Sequence, residues 1–234
     1  PHELPPYEAA GANISFVGNP LVDTVHAEMP PEEARRHFGI GAGDVPILLL
    51  PGSRREEIER LLPPMLGAAE RLGAADPARR FFLPVAGGVD EESIRAHLAA
   101  SPAELTHDAR YALMGLSRAA MATSGTVVME AALMGLPAVV LYRMSALSYL
   151  IGRLLVDVPR FSLPNILLGE TFETELLQGA VQPVRIAEEM EKIIADGADR
   201  LYVTERLSRA AAMLGAPHAA RRVAEKILAL GRSA

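Results

Sequence analysis

Val45-Pro46-Ile47-Leu48-Leu49-Leu50-Pro51-Gly52-Ser53-Arg54 runs an apolar segment into a turn of small residues. Ile47–Leu50 shows no polar alternation, so it reads as a strand covered on both faces, as in a parallel sheet. After Arg54 the apolar residues fall at helical spacing. Ile58, Leu61, Leu62, Met65, Leu66, Ala69 and Leu72 make one wide stripe. Pro63-Pro64 inside that stripe predicts a kink or a break. Strand, tight turn and helix, in that order, form one unit of an α/β fold.

The same order recurs at Ala119-Ala120-Met121-Ala122-Thr123. There Ser124-Gly125-Thr126 follows, and a helix runs from Thr126 to Met134 until Gly135 stops it. Further strands are expected at Phe81–Val85 and Ala138–Tyr142, with a short one at Ile14–Val17. Helices are expected at Glu32–Phe38, Glu91–Ala100, Asp108–Leu116, Ser145–Leu155, Thr174–Gln178, Val184–Ala195, Arg200–Leu214 and His218–Leu230. Residues 1–13 and the stretch Pro159–Gly169 read as loops. Strands alternating with helices define an α/β fold with a doubly wound, Rossmann-like parallel sheet.

The chain has 234 residues, enough for one large domain or two small ones. Half of it is apolar and 22% is charged, the composition of a globular protein. A net charge of −6 argues against nucleic acid as the main partner. There is no cysteine, so disulfides and thiolate metal sites are excluded. The longest apolar stretches carry Gly and Pro and are too short to span a bilayer. The chain opens on Pro1, which reads as part of a longer protein.

Both small-residue turns fall at the carboxyl ends of strands, where ligands sit in such sheets. A helix start offers unpaired backbone N–H groups and the positive end of the helix dipole, and both suit an anion. Arg54 adds a charge with fork geometry. Two such junctions in one domain point to a nucleotide diphosphate. Each part also has a plainer reading. Pro51-Gly52-Ser53-Arg54 reads equally as a tight turn with Ser53 as a helix cap. An Arg beside Glu56 and Glu57 favours a bound anion as its counter-charge. Ser124 and Thr126 offer hydroxyls to phosphate oxygens and Gly125 permits close approach, with a plain cap as the alternative. Glu130, one turn past Thr126, is spaced to accept both hydroxyls of a ribose, or is a surface carboxylate. Glu175 and Gln178 share a face of their expected helix and suit sugar hydroxyls, or are a solvated face. Asn165 lies in a loop and by itself has only a structural reading.

The six His residues form no pair with ligand spacing, so neither metal nor other cofactor is expected. There is no Asp-x-Asp signature, Walker motif, Gly-x-Gly-x-x-Gly fingerprint or Gly-x-Ser-x-Gly elbow. The stripe Leu147, Leu150, Ile151, Leu154, Leu155 suits core packing first and a membrane surface second.

An ordered set of motifs then carries a resemblance. Phe16-Val17-Gly18-Asn19-Pro20-Leu21, Leu50-Pro51-Gly52-Ser53-Arg54, Ser124-Gly125-Thr126 with Glu130, Tyr142-Arg143-Met144, Ser162-Leu163-Pro164-Asn165 and Glu175-Leu176-Leu177-Gln178 occur in turn. Over nearly its whole length the chain resembles the C-terminal half of the lipid-A-disaccharide synthase family. The resemblance implies an inverting glycosyltransferase of the two-Rossmann-domain (GT-B) type. Such an enzyme moves 2,3-diacylglucosamine from UDP onto 2,3-diacylglucosamine 1-phosphate, forming lipid A disaccharide and UDP. It would work in the cytoplasm, peripheral to the inner membrane of a Gram-negative-type bacterium, without a metal. Residues 1–25 would be the end of the N-terminal domain and the linker. Residues 26–216 would form the nucleotide-sugar domain, and 217–234 a helix packed on the missing N-terminal domain. Gly52, Ser53, Arg54, Ser124, Gly125, Thr126 and Glu130 would then face UDP. Asn165, Glu175 and Gln178 would lie near the diphosphate–sugar junction, with Arg54 and Asn165 as catalytic groups and the general base on the missing half. Asn19 departs from the family, which has His there. Two rival readings are a UDP-GlcNAc 2-epimerase-like enzyme and a non-catalytic nucleotide-binding module.

Overall fold

A computed structural model describes residues 1, 3–85, 87–89, 91–98, 101–145 and 159–233. Six strands make one sheet: β1 (Val45–Leu50), β2 (Arg79–Pro84), β3 (Ala103–Thr106), β4 (Ala119–Thr123), β5 (Ala138–Tyr142) and β6 (Glu175–Leu177). Their order is β3-β2-β1-β4-β5-β6, and every neighbouring pair is parallel. Chain order runs outward in both directions from the β1–β4 seam, where Leu50 lies beside Ala122. At such a seam the crossover helices leave to opposite faces, and a crevice opens beyond the carboxyl ends of the two strands.

The helices are α1 (Leu4–Ala9), α2 (Leu21–Thr24), α3 (Pro31–His37), α4 (Arg55–Ala75), α5 (Glu91–Leu98), α6 (Arg110–Leu116), α7 (Thr126–Leu133), α8 (Leu163–Leu168), α9 (Pro183–Ile194), α10 (Ala198–Ala212) and α11 (Ala219–Ser233). Alternate strand residues feed two cores. Ile47, Leu49, Phe81, Met121, Val139 and Leu141 pack with α4 and α9 on one face. Leu48, Leu50, Phe82, Ala120, Ala122 and Val140 pack with α3 and α6 on the other. This double covering is why β1, β4 and β5 read as unbroken apolar runs.

The expected break at Pro63-Pro64 does not occur, and α4 continues through both. A proline at 64 cannot donate to the carbonyl of Arg60. Arg143 instead lies under that carbonyl, with Nη1 at 3.5 Å from Arg60 O, while its Nη2 donates to Val181 O at 3.0 Å.

Other expectations are corrected. Ile14–Val17, expected as a strand, forms none among the described residues, and α1 occupies part of the expected N-terminal loop. The loop expected at Pro159–Gly169 contains α8, started after Ser162 with Pro164 in its first turn and stopped by Gly169 in the left-handed region at φ 70°. The helix expected at Thr174–Gln178 is instead β6, paired to β5 with Tyr142 beside Leu177, followed by a single 3-10 turn at Gln178–Ala180. Glu175 and Gln178 therefore share no helical face. Strand β3 is not foreseen by any pattern, being a four-residue edge with Glu104 in it. The expected stripe Leu147–Leu155 lies outside the described residues. Among the described residues no helix is long and apolar enough to cross a membrane.

Candidate functional site

A cleft of about 320 Å³ opens at the β1–β4 seam. Its walls are the turn after β1 (Leu50–Arg54, with Glu57), the turn after β4 (Thr123–Val127, with Glu130), Pro84 and Val85 past β2, and Arg110 and Met114 of α6. Seven residues singled out in the sequence therefore meet in one place: Gly52, Ser53, Arg54, Ser124, Gly125, Thr126 and Glu130.

At the first turn Gly52 has φ 111°, and a Cβ there would collide with the Glu57 carboxylate. The cap of α4 is Arg54, not Ser53. Glu57 reaches back toward Arg54 N at 3.4 Å and holds the Arg54 guanidinium through Nη1 at 3.1 Å. The expectation that Arg54 needs a ligand as counter-charge is thus corrected, because Glu57 supplies one. The pair is weak, since 84% of the Arg54 side chain is exposed to screening water. The guanidinium is free to turn to a more highly charged anion.

At the second turn Ser124 lines the cleft while its polar groups are held by neighbouring segments. Its N donates to Leu141 O at 3.0 Å and its Oγ donates to Phe161 O at 3.0 Å. While it makes that bond the hydroxyl has no second proton to donate to phosphate. Among the described residues no side chain caps α7, and its first intrahelical bond runs from Val128 N to Gly125 O. The N–H groups of Thr126 and Val127 thus remain for an anion, beside the Thr126 hydroxyl.

Glu130 is buried in the cleft wall at 7% exposure, which excludes the surface-carboxylate reading. Arg110 Nη2 lies 3.2 Å from Oε1 and 3.1 Å from Oε2, but only Oε1 accepts a hydrogen bond. Arg110 Nη2 also bonds the Tyr111 hydroxyl at 2.7 Å. Burial works against the Arg110 charge, yet Tyr111 and Glu130 hold its pKa above the ordinary arginine value. The Thr123 hydroxyl, in the same wall, is also buried without a partner. A cleft with a cation at its rim, uncapped helix N–H groups and a carboxylate in its wall suits a diphosphate joined to a diol. Sequence reasoning missed Arg110, Thr123 and Glu57. No motif marks Arg110, which meets Glu130 only in the folded chain, from 20 residues away in sequence. Among the described residues no three His, Asp or Glu are grouped to hold a metal ion.

Asn165, Glu175 and Gln178 do not line this cleft. Asn165 is fully buried. Its Nδ2 donates to Glu173 O at 2.9 Å and Glu175 Oε1 at 2.7 Å. Its Oδ1 accepts from Phe172 N at 3.0 Å and Glu173 N at 3.1 Å. Both donors and both acceptor positions of the amide are used, so Asn165 has none left for a substrate. Glu175 accepts from Phe161 N and Ser162 N, each at 3.0 Å. Gln178 exchanges two bonds with the Met144 backbone, at 3.0 and 3.2 Å. In this arrangement the polar groups of Asn165, Glu175 and Gln178 bond within the protein, outside the cleft.

Comparison with known proteins adds a relationship. The family model described as Lipid-A-disaccharide synthetase matches residues 1–227. A lipid-A-disaccharide synthase of Syntrophus aciditrophicus (strain SB) is 42% identical over 233 residues, covering 98% of this chain and 61% of that protein. Its counterpart in Nitrosococcus oceani is 40% identical, over 98% of this chain and 60% of its own length. The chain thus spans about three-fifths of the length of these curated relatives. Among solved structures, WaaG, a glycosyltransferase involved in lipopolysaccharide biosynthesis, aligns with TM-score 0.56 at 15% identity, over 84% of this chain and 50% of its own. The UDP-GlcNAc 2-epimerase from Neisseria meningitidis bound to UDP-GlcNAc aligns with TM-score 0.57 at 17% identity, over 84% and 48%. At such identities the likeness is one of fold alone.

Proposed function

We propose, given that the chain belongs to the lipid-A-disaccharide synthase family, that it is the UDP-sugar-binding part of an inverting glycosyltransferase. The donor is UDP-2,3-diacylglucosamine, the acceptor 2,3-diacylglucosamine 1-phosphate, and the products lipid A disaccharide and UDP. The reading rests on the cleft at the β1–β4 seam, where Arg54, the start of α7 and Glu130 converge. The uncapped start of α7 takes phosphate oxygens, and Glu130, in the cleft wall, takes the ribose hydroxyls. On binding, Arg54 leaves Glu57 for the diphosphate and is there when charge grows on the departing UDP. That is stabilisation by donors already in place when the anomeric bond breaks. A base outside this chain deprotonates the acceptor hydroxyl. The enzyme works at the cytoplasmic face of the inner membrane, as a peripheral protein.

Titration calorimetry of the purified chain with UDP tests the donor site directly, and no binding at millimolar UDP overturns it. Within the site, Glu130→Gln removes the charge that receives the two ribose hydroxyls. Its preference for UDP over 2′-deoxy-UDP is expected to fall about three- to tenfold, the difference of about 1 kcal/mol between a hydrogen bond to a charged group and one to a neutral group. An unchanged preference removes Glu130 from the ribose.

We also propose that residues 1–25 and 217–234 belong with a further domain. Asp23 caps α11 through Ala219 N at 3.2 Å, and Arg222 Nε donates to Val17 O at 2.7 Å, so the two segments travel together. α11 exposes Val223, Ile227, Leu228 and Leu230, an apolar face of the kind that another surface covers. Glycosyl transfer needs donor and acceptor in near-attack contact. The chain alone is therefore expected to bind UDP and form no disaccharide. Adding the N-terminal part of a relative in trans is expected to restore turnover, and synthesis by the chain alone contradicts this.

A further inference from the structure

The network around Asn165 leads back to the cleft. Glu175, on the edge strand β6, grips Phe161 N and Ser162 N with its two carboxylate oxygens. Asn165 steadies one of those oxygens from behind. The carbonyl of Phe161 in turn receives the Ser124 hydroxyl. Ser124 is the residue after β4, and Gly125, in extended backbone, leads from it into α7. The Phe161 ring packs beside the Tyr142 ring with centroids 5.9 Å apart, so the segment is also held laterally. A carboxylate among three donors is a strong local tether, because hydrogen bonds to charge are about twice as strong as neutral ones.

We propose that Glu175 is a positioning residue for the α7 turn, acting through Phe161 and Ser124 and touching no ligand. The N–H groups of Thr126 and Val127 accept no help from a side-chain cap, so their direction is set by where Ser124 and Gly125 sit. Ser124 is fixed by two bonds, one to β5 and one to Phe161. Glu175 fixes Phe161. Glu175→Gln keeps the shape but turns an amide NH2 against one of the two backbone N–H donors. The segment then shifts or loses a bond, and the turn loosens.

Hydrogen exchange by mass spectrometry reads this without any ligand. Wild type, Glu175→Gln, Ser124→Ala and the double variant are compared on peptides spanning 123–129 and 52–58, well below the unfolding temperature. Exchange at 123–129 is expected to rise about three- to tenfold in each single variant, with 52–58 unchanged. The double variant is expected to exchange no faster than the faster single one, because both changes cut the same tether. Wild-type exchange at 123–129 in Glu175→Gln, a rise shared by both peptides, or an additive double variant each overturns the proposal. The ligand arm rests on the donor-site reading. There Glu175→Gln is expected to weaken UDP and UDP-GlcNAc by the same factor. Loss for UDP-GlcNAc with UDP unchanged means Glu175 touches the sugar, and also overturns it. A wild type that binds neither nucleotide removes the donor reading, while the exchange pattern still decides the positioning role.

Discussion

Arg54→Ala is expected to weaken UDP binding by roughly tenfold to a hundredfold, the equivalent of about 1.5–3 kcal/mol for a hydrogen bond to a charged group. The guanidinium stands at the rim of the cleft beside Gly52 and the first turn of α4. Its present partner is Glu57, in an exposed i,i+3 pair of small worth. Exchanging that pair for a diphosphate is favourable because the ligand carries more charge. Arg54→Ala also leaves the Glu57 carboxylate in the cleft without its counter-charge, which repels phosphate and adds to the loss. Arg54→Lys is expected to recover only part of the affinity, since an ammonium lacks the fork. Glu57→Gln is expected to bind UDP at least as well as wild type. Calorimetry that gives Arg54→Ala the wild-type affinity refutes the assignment.

A second large effect concerns stability and pH. Glu173 is 1% exposed. Its Oε1 accepts from Ala138 N at 3.2 Å, and its Oε2 has no partner. Burial, with the charge of Glu175 nearby, pushes its pKa from 4.5 up to about 8, against the Ala138 bond that lowers it. The folded protein therefore holds this proton more tightly than the unfolded chain does. Its contribution to stability is fully present below pH 4.5, declines as pH rises, and is gone above about pH 8. Each pKa unit is worth about 1.4 kcal/mol, so the loss is on the order of a few kcal/mol. Glu173→Gln, which mimics the protonated acid, is expected to flatten that decline. At pH 9 it is expected to unfold about 5–10 °C above wild type, with little difference at pH 5. Equal melting temperatures at pH 9 mean that the carboxylate is tolerated in its pocket.

Much of the fold is legible in the order of residues. β1, β4 and β5 are apolar throughout because both of their faces are covered, and a strand of that kind advertises itself in five or six residues. The turns after β1 and β4 are equally plain. A glycine at φ 111° and a helix start are local backbone properties, set by residues adjacent in the chain. Gly52, Arg54, Gly125 and Thr126 can therefore be picked out from the sequence alone, as can Glu130, one helical turn on. The elements that escape such reading are short or depend on partners. β3 and β6 are edge strands of four and three residues, too brief for a period to show. β6 exists because Leu176 is buried beside β5, a choice made by packing over the helical spacing of Glu175 and Gln178.

The chemistry of single side chains divides along the same line. A sequence specifies which groups face a crevice when the backbone of one junction aims them. It does not specify which distant groups those side chains meet. Arg110 reaches Glu130 across 20 residues, and Ser124 reaches Phe161 across 37. Each pairing is made across the fold: one holds Glu130 in the cleft wall beside Arg110, and the other ties Ser124 to the Phe161 backbone. Asn165 and Glu175, expected as sugar contacts, form a saturated internal tether. Hydrogen-bond capacity is finite, and only the folded chain shows how much of it is already used. The sequence by itself determined the parallel doubly wound sheet, the place of the two small-residue turns and the family. The tertiary structure decided which polar groups remain open to a ligand, because that depends on contacts between segments far apart in the chain.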